Sequence, residues 1–207
     1  MIYDLAGMLA LGFVIGLTGA LAPGPTLVVT INSSLKKGWK SGPLVTLGHV
    51  LTEVLMVVLV LTGLSMILGE YSYMIIIVGG VALLAFGLLT VLESRHASID
   101  LSGGNGVADD PVLAGVVTSI SNPYFWIWWF TVGSAILISA MEGGWPLLVA
   151  FIAGHWFADL GWFTLVSVGV HRGRFFLTDR GYRYMLAVCG LFLMAFGIWF
   201  LVSGWNW

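Results

Sequence analysis

Gly48-His49-Val50-Leu51-Thr52-Glu53, inside an apolar run from 43 to 68, is the stretch from which the fold can be read. A second copy, Gly154-His155-Trp156-Phe157-Ala158-Asp159, lies inside another apolar run from 146 to 170. Each copy sets an imidazole and a carboxyl four residues apart, on one face of an α-helix and within reach of each other. An ionisable side chain at mid-membrane costs about 2.5–3.5 kcal/mol on insertion scales. Such groups persist where they do chemistry or where a partner hides them, and finding the same couple twice favours chemistry.

The surrounding composition sets the class. Of 207 residues, 59% are hydrophobic and 9% charged, with mean hydropathy +1.01, whereas a soluble domain carries about 25% charged residues. An all-α integral membrane protein is expected, with lipid and a small molecule as partners. The net charge of −2 gives no surface for nucleic acid. The one cysteine, Cys189, lies in an apolar run, forms no internal disulfide and reads as a small buried hydrophobe. Met1-Ile2-Tyr3-Asp4 has no basic segment ahead of the first apolar run, so that run reads as a span and not as a cleaved leader.

Apolar runs fall at 5–35, 43–68, 72–92, 112–139, 146–170 and 183–203. Each is long enough to cross about 30 Å of hydrocarbon, which predicts six transmembrane helices in a single membrane domain over 1–207. All eight Lys and Arg fall in odd-numbered loops: Lys36, Lys37 and Lys40, then Arg95, then Arg172, Arg174, Arg180 and Arg183. Positive charge favours the cytoplasmic side, so a multi-pass protein of the cell (plasma) membrane with both termini outside is expected. The segment 93–111, with Ser102-Gly103-Gly104-Asn105-Gly106 and Asp109-Asp110, reads as a linker between a first repeat over 1–92 and a second over 112–207. Three spans per half require the second repeat to insert with inverted topology. Counting about 1.5 Å per residue from Pro43 and Pro146 puts Glu53 and Asp159 roughly 15–20 Å deep, at one level from opposite sides.

Two spans carry breaks. Ala22-Pro23-Gly24-Pro25 interrupts the first, and Ser119, Ser121, Asn122 and Pro123 mark a comparable place in the fourth. Proline removes a backbone donor and clashes with the preceding turn, so neither helix should run straight through. Irregular backbone at membrane depth persists where it is buried in protein or lines a watered cavity, and freed helix ends there bind ions or polar solutes. A packing kink would explain one proline; matched breaks in two halves point to a binding site.

The run Gly19-Ala20-Leu21-Ala22-Pro23-Gly24-Pro25, the glycines Gly38, Gly42 and Gly48, and Asn122-Pro123 followed by Tyr124, Phe125 and Trp126 resemble the LysE/RhtB superfamily of small amino-acid and metabolite exporters. Size and six-span layout agree over the whole length. The resemblance implies export of a small solute in exchange for protons or another ion, with no cofactor and no enzymatic activity. Tyr124 stands after Asn-Pro where amino-acid exporters of the family often carry a lysine. The related disulfide-electron carriers need paired intramembrane cysteines, which a chain with Cys189 alone does not have.

An imidazole beside a carboxyl can take up and release a proton near neutral pH, which suits antiport. Glu53 and Asp159 are therefore the expected proton sites, with His49 and His155 tuning them or touching substrate. Pro23, Gly24, Pro25, Asn122 and Pro123 complete the expected substrate- or proton-binding set, and Thr18, Asn32, Thr46, Ser119 and Trp156 are candidate cavity liners. The bland alternative is that each histidine neutralises its neighbour and pins two helices together. The same four groups, His49, Glu53, His155 and Asp159, suit a borderline divalent ion, so metal-cation efflux is the rival within transport. A membrane-embedded hydrolase is a second rival, but no helix carries two histidines flanking a glutamate. Trp126, Trp128, Trp129, Trp145, Trp199, Trp205 and Trp207 read as interfacial anchors, and Trp156 and Trp162 flank the second couple. The Arg-rich segment 172–183 reads as a topology signal or a contact for anionic lipid. A homodimer is compatible with this layout.

Overall fold

A computed structural model describes residues 4–22, 24–63, 72–97, 110–173 and 178–204. Pro23, Glu70, the linker core at 98–109, Arg174, Trp205 and Trp207 lie outside these. The described chain is all-helical: α1 (Leu5–Ala20), α2 (Pro25–Lys37), α3 (Ser41–Leu61), α4 (Ser72–Ser94), α5 (Pro111–Ile120), α6 (Pro123–Trp128), α7 (Ser134–Glu142), α8 (Trp145–Gly173) and α9 (Asp179–Gly204). A widened π turn over Trp129–Gly133 joins α6 to α7.

Four stretches among the described residues are long and apolar enough to cross a membrane: Ser41–Leu61, Tyr124–Glu142, Trp145–Gly173 and Asp179–Trp199. The pair α1 and α2 makes a fifth if counted as one span, bent by 81° at its break. At about 1.5 Å per residue, the 16 residues of α1 reach only some 24 Å, so α1 alone falls short of the hydrocarbon thickness. Local chemistry sets these ends. Asp110 and Asn122 cap α5 and α6, accepting from Val112 N (2.8 Å) and Tyr124 N (3.1 Å), with proline at the first helical position of each.

Lipid as solvent is visible in which faces are covered. On α3 the outward stripe is Leu44, Leu47, Leu51, Val54, Leu55, Val58 and Leu61, all exposed, whereas Thr46, Thr52 and Glu53 are buried. A soluble helix would turn that pattern round. With apolar surface on both sides, helices gain little from hydrophobic burial and are held by close packing and polar contacts.

Glycines provide that packing. A Cβ on Gly154 would overlap the Leu9 carbonyl of α1, and one on Gly12 the Phe151 carbonyl of α8. The crossing of α3 with α5 is built likewise: a Cβ on Gly48 would overlap the Val112 carbonyl, and one on Gly115 the Val45 carbonyl. Helices α4 and α9 pack on each other in the same manner, Gly87 against Gly190 and Gly80 against Gly197.

A buried hydroxyl cluster ties the turn between α2 and α3 to α8. Ser167 donates to Trp39 O (2.6 Å), accepts from Gly42 N (3.0 Å) and meets Ser34 Oγ at 2.7 Å, while Ser41 donates to Ser33 O (3.0 Å). All of these serines are buried.

Two measurements of thermal unfolding in detergent check this packing. Gly48→Ala and Gly154→Ala should each lose about 1–3 kcal/mol or more by overpacking. Gly161→Ala and Gly169→Ala, where a Cβ meets nothing within 4 Å, should be neutral or gain up to about 1 kcal/mol from helix propensity. Ser167→Ala should cost roughly 1–3 kcal/mol by removing the buried hydroxyl that bonds Trp39 O and Gly42 N, which leaves Gly42 N–H only its longer bond to Trp39 O (3.3 Å).

Candidate functional site

The packing of α3 on α8, closest at Gly42 where a Cβ would overlap the Phe163 carbonyl, brings the two His–acid couples to one place. Glu53 Oε1 accepts from His155 Nε2 at 2.8 Å and from Trp129 Nε1 at 3.3 Å, and lies 3.3 Å from His49 Nε2. Asp159 Oδ2 stands 3.4 Å from His155 Nε2, within ion-pairing distance but without hydrogen-bond alignment. The shortest contact thus joins the two copies of the motif, where sequence spacing paired His155 with Asp159. A helical i,i+4 pair is only within reach; a facing helix decides which partner is nearest.

His49 is fixed from behind. Its Nδ1 meets Ser119 Oγ at 2.6 Å, and Ser119 donates to Gly115 O, also at 2.6 Å. With the hydroxyl proton committed to Gly115, the imidazole is the donor at Nδ1, and its Nε2 faces Glu53. A proton between His49 Nε2 and Glu53 then makes that contact attractive. Without it, a lone pair would face a carboxylate.

Aromatic rings close the surroundings. Trp128 stacks on the His155 ring at 4.8 Å between centroids, and Trp129 meets it edge-on at 5.5 Å. Phe125 and Phe163 flank His49 edge-on at 5.4 and 6.2 Å. Beneath His155 lies Gly16, where a Cβ would come within 2.8 Å of Nδ1. Trp128 and Trp129 are buried and are not the interfacial anchors their position near a span end suggested. The cause is the break before α6: a helix that begins at Pro123, inside the protein, spends its first two turns in the core. Trp145 and Trp199 are exposed.

One cavity of about 40 Å³ gathers these groups. Its walls include His49, Glu53, His155 and Asp159 together with Gly24 from the first break and Asn122 from the second. The two breaks face each other: a Cβ on Gly24 would come within 3.4 Å of Asn122 Nδ2. Thr26 and Leu27, in the first turn of α2, also line it. Gly24 gives α2 no side-chain cap, Pro25 has no N–H and Val28 N bonds Gly24 O (3.1 Å), which leaves the N–H groups of Thr26 and Leu27 at the positive end of the helix dipole, on residues that line the cavity. At the other pole, Glu53 Oε2 and Asp159 Oδ2 are buried with no hydrogen-bond partner among the described residues.

Other sequence candidates fall elsewhere. Ser119 acts through His49. Thr18, exposed, accepts from Trp128 Nε1 (3.3 Å), and Thr46 donates to Gly42 O (3.0 Å). Asn32 accepts from Tyr182 on the far face of α2, where Pro25 also points into a second cavity. Trp156 does not line the central cavity, and its buried Nε1 has no partner among the described residues. Pro123 begins α6, and Pro23 lies outside the description. Spacing could not reveal Trp128, Trp129, Tyr124 and Phe163 as wall residues, although the aromatic run directly after Asn122-Pro123 was a signal.

These features define a multi-pass helical membrane protein with an internal polar site where two interrupted helices meet. The chain belongs to the LysE type translocator family, whose model matches residues 17–204, and is accordingly a membrane transporter of the exporter kind. Comparison with curated proteins and with solved structures finds no match.

A double-mutant cycle tests the contact between the copies. Glu53→Gln combined with His155→Asn should show a coupling of roughly 0.5–3 kcal/mol in thermal unfolding, larger than for His155→Asn with Asp159→Asn.

Proposed function

We propose that this protein exports a small zwitterionic solute of the amino-acid type across the cell membrane in exchange for protons. The observation that carries this reading is the single cavity bounded by both helix breaks and both His–acid couples. Its two poles match a zwitterion. The unpartnered oxygens of Glu53 and Asp159 suit an ammonium group, and the uncapped first turn of α2 suits a carboxylate, as helix N-termini do for anions.

In this reading the proton and the ammonium compete for the same carboxyls. When the proton shared by His49 and Glu53 is lost, the one proton left on the imidazole shifts from Nδ1 to Nε2 and donates to Glu53, while the Ser119 hydroxyl turns from Gly115 O to donate to His49 Nδ1. The serine thereby keeps both nitrogens of His49 hydrogen-bonded in either protonation state.

The layout we infer is six spans in two inverted halves, 1–92 and 112–207, joined by 93–111, with the basic loops cytoplasmic and both termini outside. Reciprocal packing supports the inversion. Gly48 and Gly154 hold the same place ahead of His49 and His155, and each receives the backbone of the first helix of the other half.

Divalent-cation export is the second reading, because ligand atoms of His49, Glu53 and Asp159 all lie within 4.8 Å of one another. The positive first turn of α2 favours the zwitterion over a bare cation.

Reconstituted vesicles decide between the readings. Efflux of a labelled zwitterionic amino-acid mixture, accompanied by counter-flow of protons, is expected from the wild type, with about tenfold or greater loss in Glu53→Gln and Asp159→Asn. Normal proton-coupled flux in both variants would reject the role given to the acids, and flux of divalent ions alone would favour the second reading.

A further inference from the structure

We propose that a second, larger recess, bordered by α2, α4, α5 and α9 and more open than the central cavity, is a watered vestibule through which the solute reaches the central site from the side of the basic loops. This rests on the transport reading above. The cavity has a volume of about 830 Å³, against about 40 Å³ for the central one. Its lining mixes Val28, Val29 and Leu186 with polar groups, among them Asn32, Glu93 and Tyr182. Asn32 and Tyr182 bond each other, whereas the exposed carboxylate of Glu93 needs water beside it, since lipid would leave it unsolvated.

Position ties this vestibule to the site. Gly24 and Thr26 of α2 line the central cavity while Pro25 between them lines the vestibule. On α5, Ser119 holds His49 while its neighbour Thr118 lines the vestibule. At both points a single helix separates the two spaces, and both points belong to the interrupted spans. The remainder of α2 is immobilised by the Ser34 and Ser167 cluster on its other side, so a solute would pass by displacement of the first turn of α2 against the last turn of α5.

The vestibule also lies at the basic end of the helices. It is lined by Thr90, Leu92 and Glu93 at the end of α4, by His96 and Ala97 just beyond it, and by the start of α9 at Tyr182 and Leu186. Arg95 and Arg183 flank it, and Arg183 Nε donates to Ala97 O at 2.7 Å. By the charge rule this is the cytoplasmic side, from which an exporter must load.

The chain's one cysteine makes the test direct. In a Cys189→Ala background, Val29→Cys places a thiol in the vestibule, and Leu51→Cys places one on the lipid face of α3, where Leu51 is 54% exposed. The reacting species is the thiolate, which forms where water reaches it. A membrane-impermeant cationic methanethiosulfonate should therefore modify Val29→Cys about tenfold or more faster than Leu51→Cys, and faster in inside-out than in right-side-out vesicles. Equal rates at the two positions, or preference for the outer side, would overturn the vestibule. In a second arm, modification of Val29→Cys should block efflux of the labelled zwitterionic amino-acid mixture while modification of Leu51→Cys leaves it intact. Undiminished efflux after complete modification of Val29→Cys would reject passage through this cavity. If the unmodified protein moves none of the mixture, the zwitterion reading fails, while the labelling rates still decide whether the cavity holds water on the cytoplasmic side.

Discussion

Four ionisable side chains inside hydrocarbon can be tolerated only by satisfying one another, and that requirement governs most of the architecture. Glu53 is 1% exposed and Asp159 1%, and among the described residues no lysine or arginine lines the cavity to neutralise either. The two histidines face them, and the 2.8 Å contact between His155 and Glu53 joins α8 to α3. Gly42 lets α3 approach the Phe163 carbonyl of α8, Gly12 and Gly154 hold α1 on α8, Gly48 and Gly115 hold α3 on α5, and Gly16 leaves room for the imidazole itself. The glycine crossings and the buried couples are thus one device: in lipid, close helix contact lacks a hydrophobic incentive, so the polar cluster and the close packing support each other.

Sequence reasoning reached the parts of this device that lie along one helix. The helical class followed from composition, the His–acid couples from their spacing, and the breaks from Pro25, Asn122 and Pro123, whose effect on backbone is local. It missed what depends on two helices facing each other. The preference of His155 for Glu53, the Trp129 N–H directed at Glu53, and the backing of His49 by Ser119 are contacts between elements far apart in the chain. Trp128 and Trp129 were misplaced for a related reason: counting from the end of an apolar run puts them near an interface, whereas α6 starts within the protein. The larger cavity had no local signature, because its walls come from four helices and its polar groups are scattered from Asn32 to Tyr182.

The breaks also divide the molecule into parts that are pinned and parts that can give. The glycine crossings and the Ser34, Ser167 and Gly42 cluster hold helix backbones at contact distance and admit little sliding. The first turn of α2 differs. It has no side-chain cap, begins at a bend of 81°, and has a cavity on each side.

A cavity of about 40 Å³ holds a few water molecules, so any organic solute that occupies the site must push a wall aside. The backbone with least to lose is that first turn. Its N–H groups have no helical partner to forfeit, and a carboxylate arriving there would supply the hydrogen bonds it otherwise lacks. In the exchange proposed above, solute binding and wall movement would be coupled by the same few backbone groups: the turn would be held in its displaced position only while an anionic group satisfied it. Proton exchange at Glu53 and Asp159 would act from the opposite wall, changing whether an ammonium group is welcome. A solute carrying both charges engages both walls at once, whereas a proton engages only the acids. This difference in reach gives the site a physical basis for treating the two as alternatives and not as companions.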